Sequence, residues 1–379
     1  MKRIICSVLA LILLCSCSAD HVQPAFSPEA ALTEATQRGI PGFDPSLIID
    51  TMTAEQLVGQ LFLARCPSDE SAVTDVADYH LGGYILFGRD FKDQTASSVC
   101  STITAYQSAA AIPLLIAVDE EGGIVTRVSS QPQFRNARFS SPRQLYEEGG
   151  KDLLICTEKE KCQLLSSLGI NVNMAPVCDI TTDPSSFMYE RSLGLDPQLT
   201  GTCIDAMVDI MSQNRIGSVL KHFPGYGNNT DTHTGIAVDD RSLNQLEQAD
   251  LIPFSYGIHA GCDAILISHT VVTCLDSNMP ASLSAPVVDF LRSVMGFEGV
   301  LVTDDLVMGA ITEQYGAGEA AVLAVLAGND LLCSSEYKLQ YEAVLEAVEN
   351  GRISAEKIRQ SVARILRMKY RLGLIPANT

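Results

Sequence analysis

Eight short apolar runs recur along the chain: Gln60–Ala64, Gly83–Phe87, Leu114–Val118, Asn171–Ala175, Val219–His222, Ala264–Ser268, Gly299–Thr303 and Asn329–Cys333. Each has the length of a buried strand. The stretches between them carry helical spacing, as in Thr95–Ala110, Leu153–Leu168, Leu199–Asn214 and Leu246–Ala260. Strands that alternate with helices predict right-handed βαβ units and a parallel sheet. Eight such units without a Gly-x-Gly-x-x-Gly fingerprint favour a (β/α)8 TIM barrel over a doubly wound sheet. A single catalytic domain over residues 46–374 accommodates them. A helix opening at Thr53-Ala54-Glu55-Gln56 is predicted ahead of the first strand, capped by Thr51 or Thr53. The last segment, Ser354–Leu372, places Ile358, Val362, Ile365 and Leu366 on one stripe. It reads as a helix that closes the barrel rather than one that binds a membrane or a partner.

The N-terminus breaks this rhythm. Lys2 and Arg3 precede an apolar run from Ile4 to Leu14, the pattern of an export signal and too short to span a bilayer. The run ends in Leu14-Cys15-Ser16-Cys17, which looks like a bacterial lipobox with Cys17 as the lipidated residue. Residues 1–17 are therefore expected to be a lipoprotein signal peptide. Residues 18–45, with Pro24, Pro28, Pro41 and Pro45, read as a flexible tether, and 375–379 as a tail. The expected location is outside the cell membrane, in the envelope, with the membrane as a partner through the lipid anchor.

Hydrophobic residues make up 46% and charged residues 19%, which suits a well-buried core; the net charge of −19 argues against a nucleic-acid partner. Of twelve cysteines, Cys6, Cys15 and Cys17 belong to the signal. The rest lack Cys-x-x-Cys pairs, and several sit in apolar runs, so mostly unpaired buried thiols are expected. Neither a metal site nor a cofactor is implied. The oligomeric state is not legible.

The densest chemistry follows the fifth apolar run: Lys221-His222-Phe223-Pro224-Gly225-Tyr226-Gly227-Asn228-Asn229-Thr230-Asp231-Thr232-His233. Pro224, Gly225 and Gly227 forbid both helix and regular strand, so these groups ride on an irregular loop aimed by a strand. Asp231 and His233 share a face on an extended segment, and a carboxylate beside an imidazole can fix its tautomer for proton transfer. Alone, Asp-x-His is ordinarily a capped, solvated turn. Its setting differs here, because other strand ends are also charged: Arg89-Asp90, Asp119-Glu120-Glu121 with Arg127, Asp179 with Glu190-Arg191, His269, and Asp304-Asp305. In a barrel all these ends open on one face, where active sites are built.

Taken in order, Gly82-Gly83-Tyr84-Ile85-Leu86-Phe87, Val118-Asp119-Glu120-Glu121-Gly122-Gly123, Ala175-Pro176-Val177, Glu190-Arg191-Ser192, Lys221-His222-Phe223-Pro224-Gly225 and Thr303-Asp304-Asp305-Leu306 with Met308 resemble glycoside hydrolase family 3 over roughly residues 46–374. The similarity is to its bacterial β-N-acetylhexosaminidases. It implies a retaining mechanism with a glycosyl-enzyme. By motif, Asp304 is the nucleophile, and His233 with Asp231 is the acid/base. Asp119, Arg127, Arg191, Lys221 and His222 bind the sugar. The implied substrate is a small carbohydrate, terminal β-linked N-acetylglucosamine, with peptidoglycan fragments as its source. In related β-glucosidases the acid/base is usually a Glu on a second domain. None is seen in this sequence, so the barrel is expected to supply its own. Two departures stand out: Tyr226 replaces a second His, and the Lys221-to-His233 loop is one residue shorter than in better-known members. A β-glucosidase, a phosphorylase and an inactive sugar-binding lipoprotein remain alternatives.

Overall fold

A computed structural model describes residues 43–68, 70–227 and 237–376. The export signal, Cys17, most of the tether and the Asp231–His233 pair lie outside the described residues. The eight apolar runs become eight parallel strands: β1 Phe62–Arg65, β2 Gly83–Leu86, β3 Leu115–Val118, β4 Val172–Asn173, β5 Gly217–Phe223, β6 Ala264–Ile267, β7 Val300–Thr303 and β8 Leu332–Ser334. Each pairs with the next in chain order, except that β8 pairs with β1, Phe62 opposite Leu332. A single parallel bridge between Val302 and Leu331 links β7 to β8 and closes the barrel.

Side-chain alternation builds two layers from these strands. Leu63, Ile85, Ala117, Val219, Leu266 and Val302 meet in one cluster inside the barrel. Their neighbours Phe62, Tyr84, Leu86, Ile116 and Val118 belong to the cluster shared with the surrounding helices. β4 is only two residues long, because side chains replace part of its ladder. The Asn171 amide accepts from Ile116 N and donates to Leu114 O; the Asn173 amide does the same with Glu120 N and O.

Two helices flanking the barrel are as expected at their ends. In Ala54–Gln60 (α1) the cap is Thr53, with a reciprocal box to Gln56. The last helix, Ala355–Arg371 (α2), closes the barrel from the N-terminal ends of the strands. Its Ile365 and Met368 enter the interior cluster, and Ile358, Val362 and Leu366 the outer one. Gly217 admits this approach, since a β-carbon there would lie 2.9 Å from Met368 Cε. Lys369 on the same helix is buried and donates to Gln60 Oε1 at 2.7 Å.

Two stretches differ from expectation. The helix expected at Leu153–Leu168 begins earlier, at Pro142, and breaks at Gly149-Gly150, where Gly150 takes φ +62°. The one expected at Leu246–Ala260 divides into Leu243–Gln248 and Leu251–His259. Pro253 has no N–H to donate into a preceding turn, so the second helix restarts with Pro in its first turn. Among the described residues no helix is long and apolar enough to cross a membrane. No disulfide joins described cysteines, and Cys162, Cys178, Cys203, Cys262 and Cys333 are buried thiols.

Candidate active site

The end of the barrel opposite α2 is polar. β5 supplies Lys221 and His222, consecutive residues that a regular strand would send to opposite faces. A register shift between Leu220 and Phe223 re-aims them, as a bulge does. Lys221 Nζ donates to Asp119 Oδ1 at 2.8 Å and lies 2.6 Å from Glu121 Oε1. The Arg191 guanidinium forks onto Glu121, Nε to Oε2 at 2.9 Å and Nη2 to Oε1 at 2.7 Å. Nη2 also meets His222 Nε2 at 3.1 Å, while His222 Nδ1 lies 2.8 Å from Asp179 Oδ2. The backbone N–H groups of His222 and Tyr226 complete the Asp179 carboxylate. Five residues thus form one chain, Asp119–Lys221–Glu121–Arg191–His222, ending on Asp179.

The electrostatics follow from burial against pairing. Burial alone would raise the Glu121 carboxyl, but Lys221 and Arg191 outweigh it and hold the group well below the usual carboxylate range. Burial would likewise raise Asp179, but hydrogen bonds from His222 and the Tyr226 N–H, with the Arg191 charge nearby, lower it overall. Lys221 is raised, because Asp119 and Glu121 overcome its desolvation. All three charges are therefore held ionised at neutral pH. Asp119 is the member that faces outward, with its side chain 18% exposed against 3% for Lys221 and 1% for Glu121.

Arg127 arrives on the loop after β3. Glu120, fully buried, accepts from the N–H groups of Arg127 and Val128 at 2.8 Å each and from Ser129 N at 3.2 Å, with the Ser129 hydroxyl as a further donor. Gly122 makes the preceding turn at φ +110°, where a β-carbon would lie 2.4 Å from Ser140 O. Arg127 Nη2 then sits 3.7 Å from Asp119 Oδ2. Its guanidinium shares the Phe87 ring with that of Arg65, at 5.8 and 4.6 Å from the centroid. Arg65 ends β1, and its Nε is buried without a hydrogen-bond partner among the described residues.

Asp304 follows β7. Its N–H donates to Ile267 O at 3.2 Å, and its Oδ1 accepts from Asp305 N at 2.9 Å. The Asp305 carboxylate accepts from the N–H groups of Val307 and Ser335. Asp119, Lys221 and Asp304 lie at the C-terminal ends of the parallel strands β3, β5 and β7 and so share one end of the barrel; on β8 lies Cys333. Burial pushes its thiol up, and Asp305, Asp304 and Asp119 add to that effect while Lys221 opposes it.

The structure therefore brings together Asp119, Arg127, Arg191, Lys221 and His222, with Asp304 at the same mouth. Arg191 pairs with Glu121 rather than with its exposed neighbour Glu190. Sequence reasoning gave no role to Glu121, Asp179, Glu120 or Arg65. For Glu121, Asp179 and Arg65 the available signal was a charged residue at a strand end. Glu120 carried the same signal, but nothing local marks its partners, the amides of residues 127–129 and the Ser129 hydroxyl. Among the described residues no group of His, Cys, Asp and Glu is arranged to hold a metal ion. What remains is a charge-balanced cluster with an outward carboxylate acceptor, cationic donors and a second carboxylate at its edge. That combination suits a polyhydroxylated ligand and nucleophilic carboxylate chemistry.

Comparison with known proteins agrees. The sequence profile of the glycosyl hydrolase family 3 N terminal domain matches residues 53–368. An uncharacterised secreted glycosyl hydrolase of Arthroderma benhamiae is 31% identical over 350 residues, covering 87% of this chain and 96% of that protein. A β-hexosaminidase of Tolumonas auensis is 34% identical over 277 residues, 71% of this chain and 80% of that protein. The structure of a family 3 β-N-acetylglucosaminidase from Paenibacillus sp. superposes with a TM-score of 0.80 at 34% identity, over 86% of this chain and 63% of that one. With the profile matched over most of its length, the chain belongs to glycosyl hydrolase family 3 and is a glycoside hydrolase.

Proposed function

We propose that the chain is a retaining exo-β-N-acetylglucosaminidase. It removes terminal β-linked N-acetylglucosamine through a glycosyl-enzyme on Asp304. The observation that carries this reading is the Asp304 carboxylate, oriented by the Asp305 N–H, at the same mouth as the Asp119–Lys221 pair. Asp119 accepts from sugar hydroxyls, and Arg127 and Lys221 donate to them. Arg191 holds Glu121 and thereby Lys221. Asp304 attacks the anomeric carbon, the glycosidic bond breaks, and the leaving oxygen takes a proton from His233. Water, deprotonated by the same imidazole, then releases the sugar with retention. Asp231 holds the ring tautomer. An imidazole in this role does not repel the ionised nucleophile as a second carboxylate would. The name of the Paenibacillus β-N-acetylglucosaminidase supports the N-acetyl preference, and that of the Tolumonas relative supports a β-hexosaminidase.

The substrate we favour is a peptidoglycan fragment, met outside the cytoplasmic membrane by a protein lipidated at Cys17. Export is supported by the secreted Arthroderma relative. The anchor is tested by Cys17→Ser, which should move the protein from the membrane to the soluble fraction; retention in the membrane contradicts it. The mechanism is tested with a fluorinated N-acetylglucosaminyl fluoride that accumulates the covalent intermediate. Peptide mass spectrometry should place the sugar on Asp304, and NMR of turnover should show the β-anomer first. A label elsewhere, or the α-anomer first, refutes it.

A further inference from the structure

His269 lies at the end of β6, fully buried. Its Nε2 is 3.0 Å from the backbone carbonyl of Asp305, and its Nδ1 is 2.7 Å from the Ser282 hydroxyl. A carbonyl can only accept, so Nε2 carries a proton, and the Ser282 hydroxyl, which can donate or accept, holds the other ring nitrogen in place. Ser282 is itself locked. Its N–H donates to Ser268 O at 3.0 Å, and its carbonyl accepts from Asn329 Nδ2 at 2.7 Å.

The residue that His269 grips is the one whose N–H reaches Asp304. Asp305 is held at three points: its carbonyl by His269, its carboxylate by the Ser335 and Val307 amides, and its N–H against Asp304 Oδ1 at 2.9 Å. β6 and β8 therefore fix the backbone from which the β7 carboxylate is aimed. Nothing in the hydrolytic steps requires His269 to touch sugar.

We infer that His269 is a positioning residue for the nucleophile: through the Asp305 carbonyl it orients the Asp305 N–H on the Asp304 carboxylate, with Ser282 holding the ring in place. The inference rests on reading Asp304 as the nucleophile. The aimed N–H stabilises the ionised carboxylate and sets its angle of attack. Loosening it should lower reactivity and raise the pH at which Asp304 gains its charge.

The test uses the full chain and four variants. His269→Leu removes the donor, His269→Gln restores an amide N–H with similar reach, Ser282→Ala releases the ring, and Asp304→Asn removes the nucleophile. Rapid-quench release of 4-nitrophenol gives the glycosylation rate. The pH profile of kcat/KM gives its acid limb, and N-acetylglucosamine inhibition gives ground-state binding. His269→Leu should slow glycosylation about a hundredfold, a loss typical of a misplaced reacting group. Its acid limb should move to higher pH, with product inhibition unchanged and His269→Gln largely restored. Ser282→Ala should shift the limb in the same direction by less, and it carries the test if His269→Leu does not fold. A wild-type rate and limb in His269→Leu, or loss of rate and product affinity in equal measure, overturns the inference, as does an unmoved limb in Ser282→Ala. Full activity in Asp304→Asn would instead remove the nucleophile reading itself.

Discussion

Arg191 donates to Nε2 of His222 across 3.1 Å. A guanidinium has no lone pair to offer, so Nε2 must be the acceptor and the His222 proton resides on Nδ1, facing Asp179 at 2.8 Å. His222 is thus a neutral bridge between a buried carboxylate and a half-buried guanidinium, and its Nε2 has no proton to give a substrate. His222→Leu should strand Asp179 on two backbone amides and release Arg191. We expect a loss of about 3 kcal/mol in stability, with the denaturant slope unchanged. A midpoint equal to that of the parent protein would show that the bridge carries no weight.

Glu121 is the keystone of the same chain, facing both Lys221 and Arg191. Glu121→Gln keeps the shape and removes the charge that compensates the buried Lys221 and the half-buried Arg191. The expected cost is about 3–5 kcal/mol, with a raised KM because Lys221 no longer holds its place beside Asp119. Pairing lowers the Glu121 carboxyl despite burial, so its contribution is complete above the unfolded carboxylate range and is lost as pH falls through the depressed folded value. Urea midpoints for the two proteins should converge in acid. A constant gap across pH would contradict the assignment.

Lys369 gives the same slope with pH, as a penalty relieved rather than a gain restored. Burial pushes its ammonium down to about 7. The unfolded chain, with an ordinary lysine near 10.4, binds more protons between these values, so stability rises with pH across that window. Lys369→Met should stabilise the fold near pH 6, by about 2 kcal/mol once the lost bond to Gln60 is allowed for. The advantage should shrink towards pH 10. Thermal midpoints at several pH values check this, and a gain that grows with pH would contradict it.

If His233 protonates the leaving oxygen, its removal should matter only where the leaving group needs a proton. His233→Ala should lower kcat/KM by about 10²–10⁴ for alkyl N-acetylglucosaminides, and far less for a 2,4-dinitrophenyl leaving group. Equal losses for both would assign the role elsewhere.

The barrel was legible because each buried strand is a short apolar run, and eight runs in alternation admit few topologies. The gathering of Asp119, Lys221, Arg191 and Asp304 was legible for the same reason, since strand ends converge. What stayed hidden was pairing. That Arg191 would choose Glu121, 70 positions away, over its neighbour Glu190 depends on how two loops cross, not on local pattern. The cis peptide between Lys221 and His222 and the Asn171 and Asn173 stitching of β4 likewise have no local signature. His269 was visible as a charged strand end, but its target is a backbone carbonyl, which sequence does not mark.

The most direct test is hydrolysis of 4-nitrophenyl β-N-acetylglucosaminide against the corresponding β-glucoside, each with and without phosphate. The account predicts turnover with a clear preference for the N-acetyl sugar, free N-acetylglucosamine as the product, and no acceleration by phosphate. Preference for the glucoside, sugar 1-phosphate formed in phosphate, or a folded protein that turns over neither substrate would contradict it.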